Sequence, residues 1–241
     1  MKLFLFLIFL FQSTLVFSKV VLIDPGHGGE EAGAIGHLDP KKSRKVFEKD
    51  LCLRLSKKIK DYLSKGTTTY LTRSMDRLVT LQERADLADM VKADLFLSIH
   101  FNSAPDNKSN GFELYYLDNN SNVANSKVER AENLNLKGEE LIVNQILVDL
   151  VVSQTVDHSK LLAKEVHEKV KPVIKKNKMH DRGIKPGLFY VLALSKRPGL
   201  LVEVGFMSNP AELKKVNSDK FLDEMARSIS DGVLSYIKKQ K

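Results

Sequence analysis

The chain contains one short stretch, Val20-Val21-Leu22-Ile23-Asp24-Pro25-Gly26-His27-Gly28-Gly29, in which an apolar run ends in a polar, glycine-rich turn. The apolar run has the length and the β-branched character of a strand, and turn-forming residues follow it directly. The glycines let the backbone turn tightly and leave room beside His27. A histidine at the carboxyl end of a core strand lies where open α/β sheets bind their ligands. The stretch therefore predicts a buried strand that delivers His27 to a site, although an ordinary turn containing a histidine would look the same.

Two further apolar runs carry polar residues in the same manner. The run over residues 93–102 predicts a core strand with His100 at its carboxyl end, and the run over residues 200–206 predicts a strand that contains Glu203. A carboxylate inside an apolar strand is unexpected as packing, because buried carboxylates must be paired, coordinated or neutralised. His100 and Glu203 are therefore candidate site residues.

Segments with helical spacing of apolar residues alternate with these strands. The helices are predicted over residues 47–63, 80–91, 139–153, 157–172 and 218–238, with Pro172 ending or bending the fourth. Additional strands are predicted over residues 67–73, 111–117 and 188–192, and residues 30–45 are predicted to form an exposed loop. Strands alternating with helices indicate an α/β fold with a largely parallel sheet covered by helices on both faces.

The first 18 residues have the pattern of a secretory signal peptide. Lys2 supplies a positive start, residues 3–11 are almost unbroken apolar sequence, and Ser18 ends the segment. Because the apolar run is short for a membrane anchor, cleavage is favoured over retention in the membrane. No other stretch is long and apolar enough to cross a bilayer. We therefore expect an exported protein of the periplasm or cell envelope, with residues 19–241 as a single domain and no stable membrane insertion.

Composition narrows the class of partner. The 241 residues are 43% hydrophobic and 28% charged, which suits one globular domain, and the single cysteine, Cys52, cannot form an intramolecular disulfide. The net charge is +8, or +7 without Lys2. For an exported protein this charge favours an acidic polymer or envelope surface over nucleic acid, although a solvated basic face without a partner would give the same value.

The candidate residues suit a catalytic metal site. Two histidines, His27 and His100, and one glutamate at the start of the first helix, Glu48, are predicted near one edge of the sheet, and these are natural zinc ligands. Three protein ligands leave a position for a water molecule that the metal activates, and Glu203 is the candidate base. Other carboxylates could also ligate a metal, namely Glu31, Glu113 and Asp24. Asp24 is better suited to holding the turn or a ligating histidine. The remaining histidines are predicted to lie on the surface: His37, His158, His167 and His180.

Five segments, taken together and in order, resemble the zinc-dependent N-acetylmuramoyl-L-alanine amidases of the amidase-3 family, which act on the bacterial cell wall. These segments are Ile23–Gly29, Phe47–Asp50, Leu71–Arg73, Leu97–Asn102 and Leu201–Pro210. The resemblance spans essentially all of residues 19–241 and implies a mixed, mostly parallel sheet flanked by helices. No additional targeting domain or wall-binding repeat of the kind found in some relatives is recognised.

The resemblance also implies residue roles and a reaction. His27, Glu48 and His100 match the Zn²⁺ ligands, Glu203 matches the catalytic glutamate, and residues 182–185 and 189–192 match segments near the substrate groove. The implied reaction is hydrolysis of the amide between N-acetylmuramic acid and L-alanine in peptidoglycan, during cell-wall remodelling and daughter-cell separation.

Residues 119–154 resemble an inserted regulatory helix that blocks the active site in some relatives. Residues 123–138 carry two glutamates, Glu129 and Glu132, with Glu139 and Glu140 directly after this segment, and little apolar surface, so burial in a core does not account for a helix there. Glu132, with Glu129 as the second choice, is predicted to fill the open metal position until an activator protein withdraws it. A surface loop with solvated charges is the simpler alternative.

Two other functions remain open at the level of the sequence. A zinc peptidase on the same scaffold would cut elsewhere in the stem peptide. A non-catalytic peptidoglycan-binding protein would keep the fold alone, although all four site residues are present here.

Overall fold

A computed structural model describes residues 18–39, 41, 43–119 and 139–240, with the backbone alone over residues 139–145. The predicted signal peptide falls almost wholly outside this part of the chain and stays a prediction. No helix among the described residues has the length and apolar character needed to cross a membrane.

The described strands form one large sheet and one small hairpin. Their bounds are β1 Val20–Pro25, β2 Ile35–His37, β3 Lys45–Phe47, β4 Thr68–Leu71, β5 Leu95–Asn102, β6 Phe112–Leu117, β7 Asp181–Gly187 and β8 Gly199–Phe206. Six strands pair in the order β4-β1-β5-β8-β6-β7, while β2 and β3 pair with each other. Within the six-stranded sheet β6 and β8 are antiparallel and the other neighbours are parallel. The predicted mixed, mostly parallel α/β sheet is therefore confirmed.

Six helices connect or flank these strands in the described residues. Their bounds are α1 Glu48–Leu63, α2 Leu81–Met90, α3 Glu139–Lys176, α4 Tyr190–Ser195, α5 Pro210–Val216 and α6 Asp219–Lys239. Two of the predicted starts are confirmed by caps. Thr80 forms a capping box with Glu83 at the start of α2, and the Ser218 side chain accepts a hydrogen bond from the backbone N–H of Phe221 in α6.

The helices cover both faces of the sheet. Apolar residues of α1, α6 and the second half of α3 pack on one face, against alternate strand residues such as Val21 and Ile23. Apolar residues of α2, α4 and the first half of α3 pack on the other face, against Leu22 and Phe96. This alternation follows from the two-residue period of a strand. His100 and Glu203 lie on the second face, where the apolar layer ends.

Two predictions for the second half of the chain were wrong. The two helices predicted over residues 139–153 and 157–172 form a single helix, α3, because no glycine or proline separates them. Pro172 does not end this helix. It lies in the last turns, where Val170, Val173 and Ile174 are buried and hold the helix on the core.

The strand predicted over residues 188–192 is the other error. The strand is β7, at residues 181–187, and helix α4 begins at Tyr190. A short apolar run does not distinguish a strand from a buried helix, and here pairing with β6 selects the preceding residues. The loop predicted over residues 30–45 also contains the short strand β2.

Candidate metal centre and active site

Three predicted site residues meet at one edge of the sheet. His27 follows β1, His100 lies near the end of β5, and Glu48 is the first residue of α1. Oε1 of Glu48 lies 3.1 Å from Nε2 of His27 and 3.2 Å from Nδ1 of His100. The ligand atoms of the three residues all lie within 4.8 Å of one another. This group could therefore hold a metal ion.

Backbone donors fix the carboxylate of Glu48 in this group. The backbone N–H of Ala34 donates to Oε2 at 2.8 Å, and that of Phe101 donates to Oε1 at 3.0 Å. Burial acts to raise the pKa of Glu48, but His27 and His100 outweigh burial and lower the pKa. Glu48 is therefore an ionised carboxylate held in one orientation.

Two glycines make room for the three ligating side chains. A Cβ atom on Gly26 would lie 2.4–2.8 Å from ring atoms of His100, and a Cβ atom on Gly33 would lie 2.6 Å from both Glu48 Oε2 and His27 Cδ2. These separations are far below van der Waals contact, so any larger residue would displace the ligands. The sequence indicated a role for Gly26 beside His27, whereas the structure shows that it makes room for His100.

A buried ion pair holds the loop that carries His27. Asp24 is paired with Arg84 of α2 and also accepts hydrogen bonds from Thr72 at 2.7 Å and Ser98 at 2.9 Å. Burial tends to raise the pKa of Asp24, but the Arg84 guanidinium and these hydrogen bonds lower it. Nη2 of Arg84 donates to the carbonyl oxygen of His27 at 3.1 Å. Asp24 thus holds the turn.

His27 needs this support because its backbone is strained. Its φ angle is +57°, in the left-handed region that residues other than glycine rarely adopt. A second buried guanidinium, that of Arg73, donates to the carbonyl oxygens of Pro25 at 3.1 Å and Gly26 at 2.7 Å. The roles of Arg73 and Arg84 were not predicted from the sequence, although Arg84 shares the buried face of α2 with Ala85 and Ala88, and a charged residue on an apolar helix face is a signal that could have indicated its role.

Glu203 lies beside the metal-binding group. It pairs with His100 across β5 and β8 and with Glu113 across β8 and β6, so three polar side chains form a row on one face of the sheet. Its side chain is 1% exposed, yet it lines the same cleft of about 1250 Å³ as His27, Glu48 and His100. A carboxylate next to a candidate metal site can accept and return a proton.

Glu113 belongs to a separate cluster in this cleft. It accepts hydrogen bonds from Asn102 Nδ2 at 2.6 Å and from Arg182 Nε at 3.2 Å, and it pairs with Lys185. Among the described residues, the group that could hold a metal includes none of Glu113, Glu31 and Asp24.

The other histidines lie outside the metal-binding group. His167 pairs with Asp181, His158 contacts the hydroxyl of Tyr236, and His180 is exposed. His37 lies in the β2–β3 hairpin. His37 and His167 are half-buried rather than on the surface, whereas His158 and His180 are exposed as predicted. Glu132 and Glu129 lie outside the described residues.

Comparison with known proteins agrees with this arrangement. The Amidase_3 family, described as N-acetylmuramoyl-L-alanine amidase, matches residues 21–235. The N-acetylmuramoyl-L-alanine amidase AmiA of Escherichia coli (strain K12) is 32% identical over 228 residues, which cover 90% of this chain and 76% of AmiA.

Solved structures agree as well. An N-acetylmuramoyl-L-alanine amidase from Clostridium difficile 630 superposes with a TM-score of 0.69 at 31% identity, covering 93% of this chain and 99% of that one. The catalytic domain of CwlV from Bacillus (Paenibacillus) polymyxa var. colistinus superposes with a TM-score of 0.69 at 29% identity, covering 91% and 98%. The chain therefore belongs to the Amidase_3 family of N-acetylmuramoyl-L-alanine amidases.

Proposed function

We propose that this chain is a zinc-dependent amidase that hydrolyses the bond between N-acetylmuramic acid and L-alanine in peptidoglycan. The observation that carries the proposal is the convergence of His27, Glu48 and His100 beside Glu203, in a family of peptidoglycan amidases. Each of these residues occupies the position that the sequence resemblance assigns to a metal ligand or to the catalytic glutamate.

The three ligands fit zinc by chemistry and by spacing. Imidazole nitrogens and a carboxylate oxygen are preferred zinc donors, and tetrahedral ligands at zinc-bond lengths lie roughly 3.3 Å apart. Glu48 Oε1 is 3.1 Å from the His27 nitrogen and 3.2 Å from the His100 nitrogen, close to that separation. When bound, the ion supplies a water molecule activated for attack on a carbonyl carbon.

Glu203 supplies the proton transfer that amide hydrolysis needs. It is in register with His100 on the adjacent strand, about 4.8 Å away along the sheet, and its carboxylate lines the cleft. In this role it takes the proton from the attacking water and gives it to the leaving amine of L-alanine.

The sequence supports a location and a form of regulation for the enzyme. The predicted signal peptide supports export to the periplasm or cell envelope, where peptidoglycan is the acidic polymer that a basic protein would meet. There the enzyme would act in wall remodelling and daughter-cell separation. We further propose that residues 123–138 regulate it, with Glu132 as the blocking carboxylate and an activator protein as the partner that relieves the block.

The proposal is tested by incubating the protein without its leader with purified peptidoglycan and analysing the released fragments by mass. The expected products are free stem peptides that begin with L-alanine, together with peptide-free glycan. Glu203→Gln keeps the size of the side chain but removes the base, so turnover should fall by roughly two to four orders of magnitude while bound metal is retained.

The alternative functions give different outcomes in the same experiment. Fragments cut inside the stem peptide would identify a zinc peptidase. Binding without any release of peptides, in wild type, in Glu203→Gln and also in the protein that lacks residues 123–138, would identify a non-catalytic wall-binding protein. Wild-type turnover in the Glu203→Gln variant would overturn the role of Glu203.

A further inference from the structure

We propose that Arg182 and Lys185, held on the buried carboxylate of Glu113, form a subsite for a carboxylate on the second residue of the stem peptide. The inference rests on the proposed function and extends it to substrate selection. It concerns residues that contribute nothing to the metal-binding group or to the proton transfer.

The cluster of Glu113, Arg182 and Lys185 carries one net positive charge, because the Glu113 side chain, which is 1% exposed, is the counter-ion of two cations. The side chains of Arg182 and Lys185 are 33% and 27% exposed, and both line the cleft that contains Glu203. A cationic pair in the wall of a cleft favours an anionic group of the ligand.

Aromatic rings help to hold the two cations in place. The Arg182 guanidinium lies 5.1 Å from the centroid of the Phe206 ring, and the Lys185 ammonium lies 5.7 Å from that of Tyr115. Both distances are within the range of cation–π attraction. Side chains held by a buried carboxylate and an aromatic ring lose little freedom when they bind a ligand.

Strand β7 is irregular at Arg182. Phe112 pairs with Asp181, but its neighbour Glu113 pairs with Gly183, so Arg182 is an extra residue in the strand. Residues three apart in a regular strand point to opposite faces, whereas Arg182 and Lys185 reach the same carboxylate. A bulge re-aims one side chain and often occurs next to an active site. Gly183 permits it, because its φ angle is +79°, a conformation that residues with a side chain rarely adopt.

Within the described residues, Arg182 keeps donors for a ligand, since it uses Nε for Glu113 and its Nη1 makes one long contact of 3.5 Å to the carbonyl oxygen of Asn110. The terminal nitrogens of a guanidinium form the fork that binds a carboxylate through two hydrogen bonds.

The position of the cluster identifies which carboxylate it would bind. The charged ends of Arg182 and Lys185 reach Glu113 on β6, and β6 is one strand spacing, about 4.8 Å, from β8, the strand of Glu203. An extended peptide covers that distance in about one to two residues. A carboxyl group on the residue that follows L-alanine would therefore lie within reach of the two cations.

The test compares two soluble muropeptides that differ only in the second residue of the stem, which carries a free carboxylate in one and a primary amide in the other. Wild-type protein should cleave the carboxylate substrate with roughly 10- to 100-fold higher kcat/KM, because hydrogen bonds to charged groups are strong. Equal kcat/KM values for the two substrates would overturn the subsite and leave the proposed function intact. Cleavage of neither substrate, by wild type and by the protein that lacks residues 123–138, would instead overturn the proposed function.

Variants assign the preference to these residues. In Arg182→Met or Lys185→Met one cation still neutralises Glu113, so the fold should survive, and the ratio of kcat/KM for the carboxylate substrate to kcat/KM for the amide substrate should fall towards one. Gly183→Ala, which removes no charge, should reduce the preference by straining the bulge. Lys160→Met is the matched control, because Lys160 lies over the neighbouring Tyr116 ring and does not line the cleft. An unchanged preference in both Met variants at positions 182 and 185 would overturn the assignment.

Discussion

At the scale of single residues, the site depends on a few positions where neither size nor charge can change. Gly26 and Gly33 lie against the ligating side chains, and the Asp24–Arg84 pair supports the strained backbone of His27. The metal ligands come from separate elements, so their relative positions depend on these neighbours as much as on the ligands themselves.

Gly26→Ala should weaken metal binding without unfolding the protein. The added methyl group would lie 2.4 Å from the His100 ring, so the imidazole must shift from its position beside Glu48. We expect the metal dissociation constant to rise by roughly 10- to 100-fold, as for other changes that reorient a ligand. Competition with a fluorescent zinc chelator measures this constant, with circular dichroism to verify the fold. Wild-type affinity in a folded variant would contradict the account.

Asp24→Asn tests the buried ion pair. Because the pKa of Asp24 is lowered in the folded protein, its ionisation stabilises the fold above the ordinary value of 3.8, and this contribution is lost as pH falls below 3.8. At pH 7 the variant leaves Arg84 buried without a counter-ion, which costs about 3–5 kcal/mol. The difference between wild type and variant should shrink below pH 3.8.

Denaturant unfolding at a series of pH values measures this difference in the free energy of unfolding. Asp219→Asn is the matched control, since Asp219 also pairs with an arginine, Arg54, but is exposed, and it should change stability far less. Equal destabilisation by the two substitutions at pH 7 would show that the buried pair has no special role.

At the scale of elements, the sequence predicts best where one physical signal dominates. Strands β1, β5 and β8 are mostly apolar, so hydrophobicity predicts where they lie in the sequence. His100 and Glu203 are conspicuous because they are polar residues within such strands. Helix α2 begins at the predicted residue because the Thr80 capping box is a local signal.

Elements determined by tertiary pairing are harder to predict. Strand β7 contains polar residues and a bulge, and only its pairing with β6 makes it a strand, while the apolar run after it forms helix α4. The cluster of Glu113, Arg182 and Lys185 depends on that same pairing. For this reason the sequence could not bring these three residues together, although it placed His27, Glu48 and His100 near one edge.

At the scale of the whole molecule, the proposed regulation by residues 123–138 is the claim that is most open to refutation. Deleting residues 123–138, or making Glu132→Ala, should raise the basal hydrolysis of peptidoglycan, because each removes the proposed blocking carboxylate. Dye release from labelled peptidoglycan measures the rate, and thermal unfolding verifies the fold. Glu129→Ala is the comparison that identifies the blocking residue. Unchanged rates in the folded deletion protein would refute the regulatory role of this segment.

The central claim is that His27, Glu48 and His100 bind the catalytic zinc beside Glu203. The most direct test is the zinc content of three purified proteins, measured by mass spectrometry after stripping with a chelator and dialysis against zinc. We predict stoichiometric zinc in wild type and in Glu203→Gln, and loss of zinc in His100→Ala with the fold retained. Activity should return with zinc in wild type alone. Stoichiometric zinc and full turnover in His100→Ala would contradict the account.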